Sequence, residues 1–382
     1  MRVGLFTNNY LPMLGGVARA VETMRIALER LGHEVVVVAP RMTGGDGSSP
    51  GVVRVPAVPA PTYPDFALPL PLSPAWTRRL AALDLDVVHA QHPFLLGATA
   101  RRLARRLGRP LVFTYHTLYD KYAHYVPLPR PAVARRAIAW STRFANEADV
   151  VIAPSAWLAA RLKSQGVRRP VVVLPTGVDL ERFQPGDRAA ARAALRLPPT
   201  PLCLYVGRLD REKNLPFLLD AFERVAARQP GAELVLVGRG TQEAALRRRA
   251  ARLRAAGRVR FVGGVPLDAV VRYYQAADLF LFASTTETQG LAVLEAMAVG
   301  LPVVAVRAAG VEEAVLDGVS GLLVPEEGEA FAAAALEVLG DPGLADKLSS
   351  GAREAALPVA ARALGQRLVR LYRGLLAGGA LA

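Results

Sequence analysis

Cysteine is almost missing from this sequence. The one thiol, Cys203, lies in the apolar run PLCLYVG and reads as a small buried strand residue. A single cysteine excludes an intrachain disulfide framework, so a reducing cytosol is the expected compartment. Long apolar runs are missing as well. None approaches the roughly 18 residues that a membrane span needs. The opening MRVGLFTNNYLPMLGG, with one early charge and with Asn8 and Asn9 close behind a brief apolar run, reads as a first buried strand rather than a signal peptide. Aromatic residues make up only 7%, and neither a stacking platform nor a recognition motif accompanies the basic clusters, which excludes a nucleic-acid partner. Acidic residues are scarce in one half only: residues 1–196 carry 26 Lys and Arg against 13 Asp and Glu, whereas residues 197–382 carry 21 against 20.

The basic half therefore has to meet the anionic partner. ARRLARRLGRP (100–110) and AVARRAIAWSTRF (132–144) set arginines beside Leu, Ile, Trp140 and Phe144 at helical spacing, as in a helix lying on an anionic membrane. The alternative is a solvated face in an arginine-rich chain. Along the sequence, RVGLF, EVVVVAP, LDVVHA and PLVFTYH are buried-strand candidates separated by amphipathic stretches such as ARAVETMRIALERLG, the signature of βαβ units on a parallel sheet. The scheme restarts after Pro198 and Pro199 with PLCLYVGR, AELVLVGRG, RVRFVGG, DLFLFAS and LPVVAV. The fold class is thus α/β with two doubly wound Rossmann-like domains, expected over 1–196 and 197–357 and divided near the Pro-rich LPPTP. An amphipathic C-terminal helix within 358–382 is free to pack on either domain.

Ligands of doubly wound sheets bind beyond the carboxyl ends of the strands. YVGRLDREKN puts Arg208 just after a strand and Lys213 near the next helix start, two cations suited to a diphosphate. Arg208 is equally able to form a structural pair with Asp210 or Glu212. VGRGT, with Gly238 and Gly240, starts like a dinucleotide fingerprint but lacks the third glycine, which excludes a nicotinamide site. In TTETQGLAVLEAMAVGLPVV (285–304), a helix starting near Gly290 would offer the N–H groups of Gly290, Leu291 and Ala292 to a phosphate, with Gln289 alongside. Glu287 and Glu295 would then bracket it, one toward a sugar and the other toward a ribose. The alternative makes Glu287 a cap-side charge and Glu295 an exposed helix residue.

ETQGLAVLE resembles the E-x7-E motif of the retaining GT-B glycosyltransferases of family 4, and GRLDREKN is similar to that family's phosphate-binding Arg and Lys. The likeness extends to GGVAR, PTGVDLERFQP and ADLFLFAS, nearly the whole chain. It implies two domains facing a cleft that closes on the donor, with the C-terminal helix crossing back to the first. By the same resemblance Gly15 and Gly16 form a loop touching the diphosphate, Arg208 and Lys213 neutralise it, Glu287 binds the donor sugar, Glu295 the ribose, and backbone near Val262 and Gly263 the base. His116 matches the histidine that contacts the transferred sugar without acting as a simple base. HTLYDKYAHY looks like the acceptor region of the diacylglycerol glucosyltransferases, which implies Tyr119, Tyr122, His124 and Tyr125 as acceptor contacts. A structural aromatic cluster is the alternative there.

The resemblance implies a retaining hexosyltransferase, with UDP-glucose as donor and a membrane lipid such as diacylglycerol or a glycosyl-diacylglycerol as acceptor, at the inner face of the cell membrane. UDP-galactose or GDP-mannose with a phosphoinositide-like or soluble sugar acceptor is the second option. No cofactor and no metal are expected. Arg208, Lys213, the helix start and the Gly16 loop can stabilise the leaving diphosphate, and Asp84-Leu85-Asp86, which mimics a D-x-D metal motif, stands at the amino end of its strand. Of other classes, a pyridoxal-dependent phosphorylase would need a lysine better placed than Lys347, an epimerase an acidic pair in the first half, and a non-catalytic sugar-nucleotide or lipid-binding protein would not need Glu287, Arg208 and Lys213 together.

Overall fold

Runs such as Val35–Val38 are buried at every residue, the mark of strands covered on both faces. In the computed structural model, which describes residues 1–13, 15–42, 50–60, 63–70, 73–122 and 129–378, the chain divides into two compact units, Met1–Gly177 with Ala361–Ala382 and Val178–Ala360.

The first unit contains β1 (Arg2–Phe6), β2 (Glu34–Pro40), β3 (Val52–Val55), β4 (Ala57–Ala60), β5 (Tyr63–Pro69), β6 (Val87–Ala90), β7 (Leu111–Thr114), β8 (Val150–Ala153) and β9 (Val171–Val173). Seven of them form a parallel sheet in the order β3-β2-β1-β6-β7-β8-β9, while β4 and β5 pair as an antiparallel ribbon. Its helices are α1 (Gly16–Arg30), α2 (Pro74–Ala81), α3 (Leu96–Leu107), α4 (Arg130–Glu147) and α5 (Ala156–Ser164). Strand side chains alternate between two cores. Val3, Leu5, Val35, Val37, Val112 and Ile152 enter one with Val21, Met24 and Leu28 of α1. Phe6, Val36, Val38, Phe113 and Val151 enter the other with Leu103 of α3 and Phe144 of α4.

The second unit carries α6 (Arg188–Leu195), β10 (Leu202–Val206), α7 (Leu215–Arg228), β11 (Glu233–Val237), α8 (Glu243–Ala250), β12 (Val259–Gly263), α9 (Leu267–Ala276), β13 (Leu279–Phe282), α10 (Leu291–Ala298), β14 (Val303–Val306), α11 (Ala309–Glu312), β15 (Leu322–Val324), α12 (Gly328–Gly340) and α13 (Pro342–Ala356). Its sheet runs β12-β11-β10-β13-β14-β15, all parallel, and the order reverses between β10 and β13.

The last helix, α14 (Ala361–Leu376), belongs to the first unit. Leu364, Leu368 and Tyr372 recur at four-residue spacing and enter the α1 core. Gly365 lets the two helices meet, since a Cβ there would stand 3.0 Å from Ala27. The boundary at 196/197 needs correction. Contacts divide the chain at Gly177/Val178, because α6 packs on α9, with Arg192 Nε donating to Ala276 O at 2.8 Å and its guanidinium pairing with Asp278 at 2.5 Å. With these bounds the charge asymmetry sharpens: 26 Lys and Arg against 10 Asp and Glu in the first unit, 21 against 23 in the second. Among the described residues no helix is long and apolar enough to cross a membrane.

Candidate functional site

The reversal between β10 and β13 is where a doubly wound sheet opens a crevice, and the charged motifs flank it. After β10, Arg208 reaches Asp210 Oδ2 at 2.7 Å and Glu212 Oε1 at 2.5 Å, both carboxylates being buried. So the structural pairing of Arg208 is real, and it fixes the guanidinium in place. A 3-10 turn, Arg211–Lys213, ends at Asn214 in left-handed conformation (φ 54), one of the non-glycine residues that tolerate it. That turn aims Lys213 at the loop after β13, where its Nζ donates to Glu287 Oε1 at 2.6 Å. The hydroxyls of Ser284 and Thr286 both donate to Glu212 O at 3.2 Å and tie the two loops together. Burial by itself would raise the Glu287 pKa, but Lys213, the Ser284 hydroxyl and Arg208 together outweigh it and hold the carboxyl below its usual range.

Gly290 caps α10 with φ 83, a conformation that favours glycine, and Leu291 opens the helix. One and a half turns on, Glu295 is 2% exposed, not the exposed helix residue of the alternative. The hydroxyl of Tyr274, 1% exposed, shares its proton between Glu295 Oε2 (3.0 Å) and Ala292 O (3.1 Å). Gln289 is buried as well. Val262 and Gly263 end β12, and Gly263 accepts the Gly238 N–H at 2.9 Å. Arg208, Lys213, Glu287, Gly290 and Glu295 therefore belong to the loops after β10 and β13 and to the helix behind them.

In the first unit, Gly15 caps α1 in extended conformation, and a Cβ on Gly15 or Gly16 would meet nothing within 4 Å. Internal packing thus gives no reason for glycine at either place. His116, just after β7, bonds through Nε2 to Gln91 Oε1 at 2.7 Å, and burial lowers its pKa to about 4, which keeps the ring neutral near pH 7. His89 bridges Tyr372 OH and Thr114 Oγ1, each at 2.7 Å. Tyr119 packs edge-on against Phe94 (5.1 Å) and Tyr115 (5.3 Å), and its buried hydroxyl has no hydrogen-bond partner among the described residues. Tyr122 is half-buried beside it, while His124 and Tyr125 lie outside the described residues. Nearby on α4, Trp140 is 59% exposed and Arg135, Arg136 and Arg143 are exposed too. Asp86 is occupied structurally, accepting the Arg2 N–H at 2.7 Å.

Four partners escaped the sequence reading of the site or entered it only as alternatives. Asp210 and Glu212 were visible as acids at two- and four-residue spacing from Arg208. Gln91 and Tyr274 had no signal, since what matters is a contact across 25 and 21 residues.

Residues 14–182 match the family described as Glycosyltransferase Family 4, and residues 187–355 match Glycosyl transferases group 1. The chain is 32% identical over 324 residues to an alpha-monoglucosyldiacylglycerol synthase of Streptococcus pneumoniae, spanning 80% of this chain and 71% of that protein. It is 33% identical to a GDP-mannose-dependent alpha-(1-6)-phosphatidylinositol monomannoside mannosyltransferase of Mycolicibacterium smegmatis, over 97% and 98% of the two chains. Among solved structures, sucrose-phosphate synthase from Thermosynechococcus elongatus superposes with a TM-score of 0.83 at 27% identity, over 99% of this chain and all of that one.

Proposed function

The chain belongs to glycosyltransferase family 4, and on that premise we propose that it moves glucose from UDP-glucose to a membrane lipid, diacylglycerol or a glycosyl-diacylglycerol, with retention at the anomeric carbon and without a metal. The observation that carries the donor half is the grouping of Arg208, Lys213, Glu287 and Glu295 around the reversal point of one sheet. Arg208 and Lys213 stabilise the diphosphate as negative charge grows on it, and the N–H groups at the start of α10 add to them. Glu287, kept ionised, accepts hydrogen bonds from the sugar hydroxyls. Glu295 accepts them from the ribose. Gly15 and Gly16 let the diphosphate approach the backbone.

His116 serves the sugar as a neutral hydrogen-bonding group, in keeping with its lowered pKa. With no carboxylate assigned as nucleophile, attack comes from the face the leaving group departs, and a donor phosphate oxygen takes the acceptor proton. The lipid half is supported by the pneumococcal relative's name, by the basic first unit, and by Trp140 standing exposed among arginines on α4. Tyr119 and Tyr122 line the acceptor. A second reading, GDP-mannose with a phosphoinositide-like acceptor, is favoured by the mycobacterial relative that matches over nearly its full length.

The test offers UDP-glucose, UDP-galactose and GDP-mannose, each with diacylglycerol or phosphatidylinositol in anionic liposomes, with and without a metal chelator. An α-glucosyl lipid from UDP-glucose, formed at the same rate with chelator, is expected. A mannolipid from GDP-mannose moves the assignment to the second reading, and nucleotide release without any glycolipid ends the lipid acceptor. Liposome association should weaken as salt rises.

A further inference from the structure

The VGRGT stretch is not a dinucleotide fingerprint, and the structure gives its two glycines another purpose. A Cβ on Gly238 would stand 1.8 Å from Gly207 O, and one on Gly240 would stand 2.4 Å from the Leu209 carbonyl. The loop after β11 is thereby laid directly on the loop after β10. Leu209 N donates to Arg239 O at 2.8 Å, Gln242 N to Leu209 O at 2.9 Å, and Thr241 gives its N–H and hydroxyl to Asp210 Oδ1 at 2.7 and 2.8 Å. On the other side Gly238 N donates to Gly263 O. The backbone of Arg239 is therefore pinned between its neighbours while its side chain is exposed. That side chain lies along the end of β12: a Cβ on Gly264 would meet its Cγ, Cδ and Nε at 3.5 Å, and one on Gly263 its Nε at 3.8 Å.

Charge sets Arg239 apart. Arg208 is held by two carboxylates and Lys213 by a third. No described carboxylate pairs with Arg239. It is a solvent-facing cation on a held backbone, on the same carboxyl edge of the sheet.

We propose that Arg239 reads the nucleobase of the donor, selecting a base that presents a keto oxygen at the edge facing Gly263 and Gly264. This rests on the donor reading above together with the family resemblance that puts backbone near Val262 and Gly263 against the base. A guanidinium has only donors. Uracil O4 and guanine O6 accept from it, whereas cytosine and adenine present an amino group at the same edge and would set donor against donor.

The experiment measures dissociation constants of UDP, CDP, GDP, ADP and inorganic pyrophosphate by calorimetry for the parent, Arg239→Met and Arg239→Lys. Expected for the parent is a preference of roughly tenfold for one keto base over its amino counterpart, UDP over CDP or GDP over ADP. Arg239→Met should bring that ratio close to one and leave pyrophosphate affinity unchanged, with Arg239→Lys restoring part of the preference. A parent without preference, a Met variant that keeps it, or a Met variant that weakens pyrophosphate as much as UDP would overturn the proposal. If the parent binds none of the four nucleotides, the donor reading itself falls; binding with an unaltered base ratio sinks only the role of Arg239.

Discussion

Lowering the pH from 7.5 to 5.0 should weaken the first unit before ordinary carboxylates titrate. His89 and His92 are 0% and 6% exposed, and burial, with a smaller contribution from nearby His116, depresses each to about 3. An unfolded histidine titrates near 6.5. Between those values the unfolded chain binds protons that the folded chain refuses, so stability falls as the pH falls and is fully present only above the unfolded value. Over this window each ring costs about 2 kcal/mol, and the two together about 4 kcal/mol. That is a large share of the ~5–15 kcal/mol typical of a domain. The assay is urea unfolding followed by tryptophan emission. Trp76, Trp140 and Trp157 all lie in the first unit, so emission reports that unit alone. His89→Gln should cut the difference between the two pH values by about 2 kcal/mol, whatever it does to stability at pH 7.5. An equal urea midpoint at both pH values in the parent, or an unchanged difference in the variant, refutes the reasoning.

Glu287→Gln should lower turnover at least about 100-fold, measured as sugar transfer at saturating donor, with near-normal turnover removing it from the mechanism. Lys213→Met takes away the strongest influence opposing burial at Glu287, so the acidic limb of the pH–rate profile should move to higher pH; an unmoved limb means the pair does not set the ionisation. Tyr274→Phe deletes the hydroxyl on Glu295 and should weaken UDP binding about tenfold, read by calorimetry, with 2′- and 3′-deoxy UDP losing less. Gly238→Ala places a methyl on Gly207 O and should cost about 2–3 kcal/mol in the thermal unfolding of the second unit, followed by circular dichroism.

The valine-rich strands and their helices were legible because a strand buried on both faces leaves a continuous apolar run, and EVVVVAP, AELVLVGRG and LPVVAV all became interior strands, paired on both sides. The β4–β5 ribbon was not. Its sequence is broken by prolines at 59, 64 and 69, which suit an isolated antiparallel pair but erase the alternation that marks a strand. The boundary was misplaced for a related reason: LPPTP looks like a linker, yet α6 before it is already fastened to Asp278 and Ala276. In the site, Arg208, Lys213, Glu287 and Glu295 were readable because their spacing is local. The partners that orient them were not. Tyr274 meets Glu295 only because its hydroxyl reaches from α9 to α10, and Gln91 meets His116 only because β6 and β7 are neighbours in the sheet.

The placement of α14 has a consequence for biosynthesis. A ribosome finishes residue 177 and then makes the 183 residues of Val178–Ala360 before α14 begins, roughly 9 to 37 s at ~5–20 residues per second. Throughout that interval the groove of α1 lacks Leu364 and Leu368, and the ring of His89 lacks the Tyr372 hydroxyl. The N-terminal part of the nascent chain therefore waits with apolar surface uncovered while the second unit emerges and folds. Chaperone demand and vulnerability to proteases should peak in that interval, and any premature stop before α14 should leave a chain that the cell treats as unfinished.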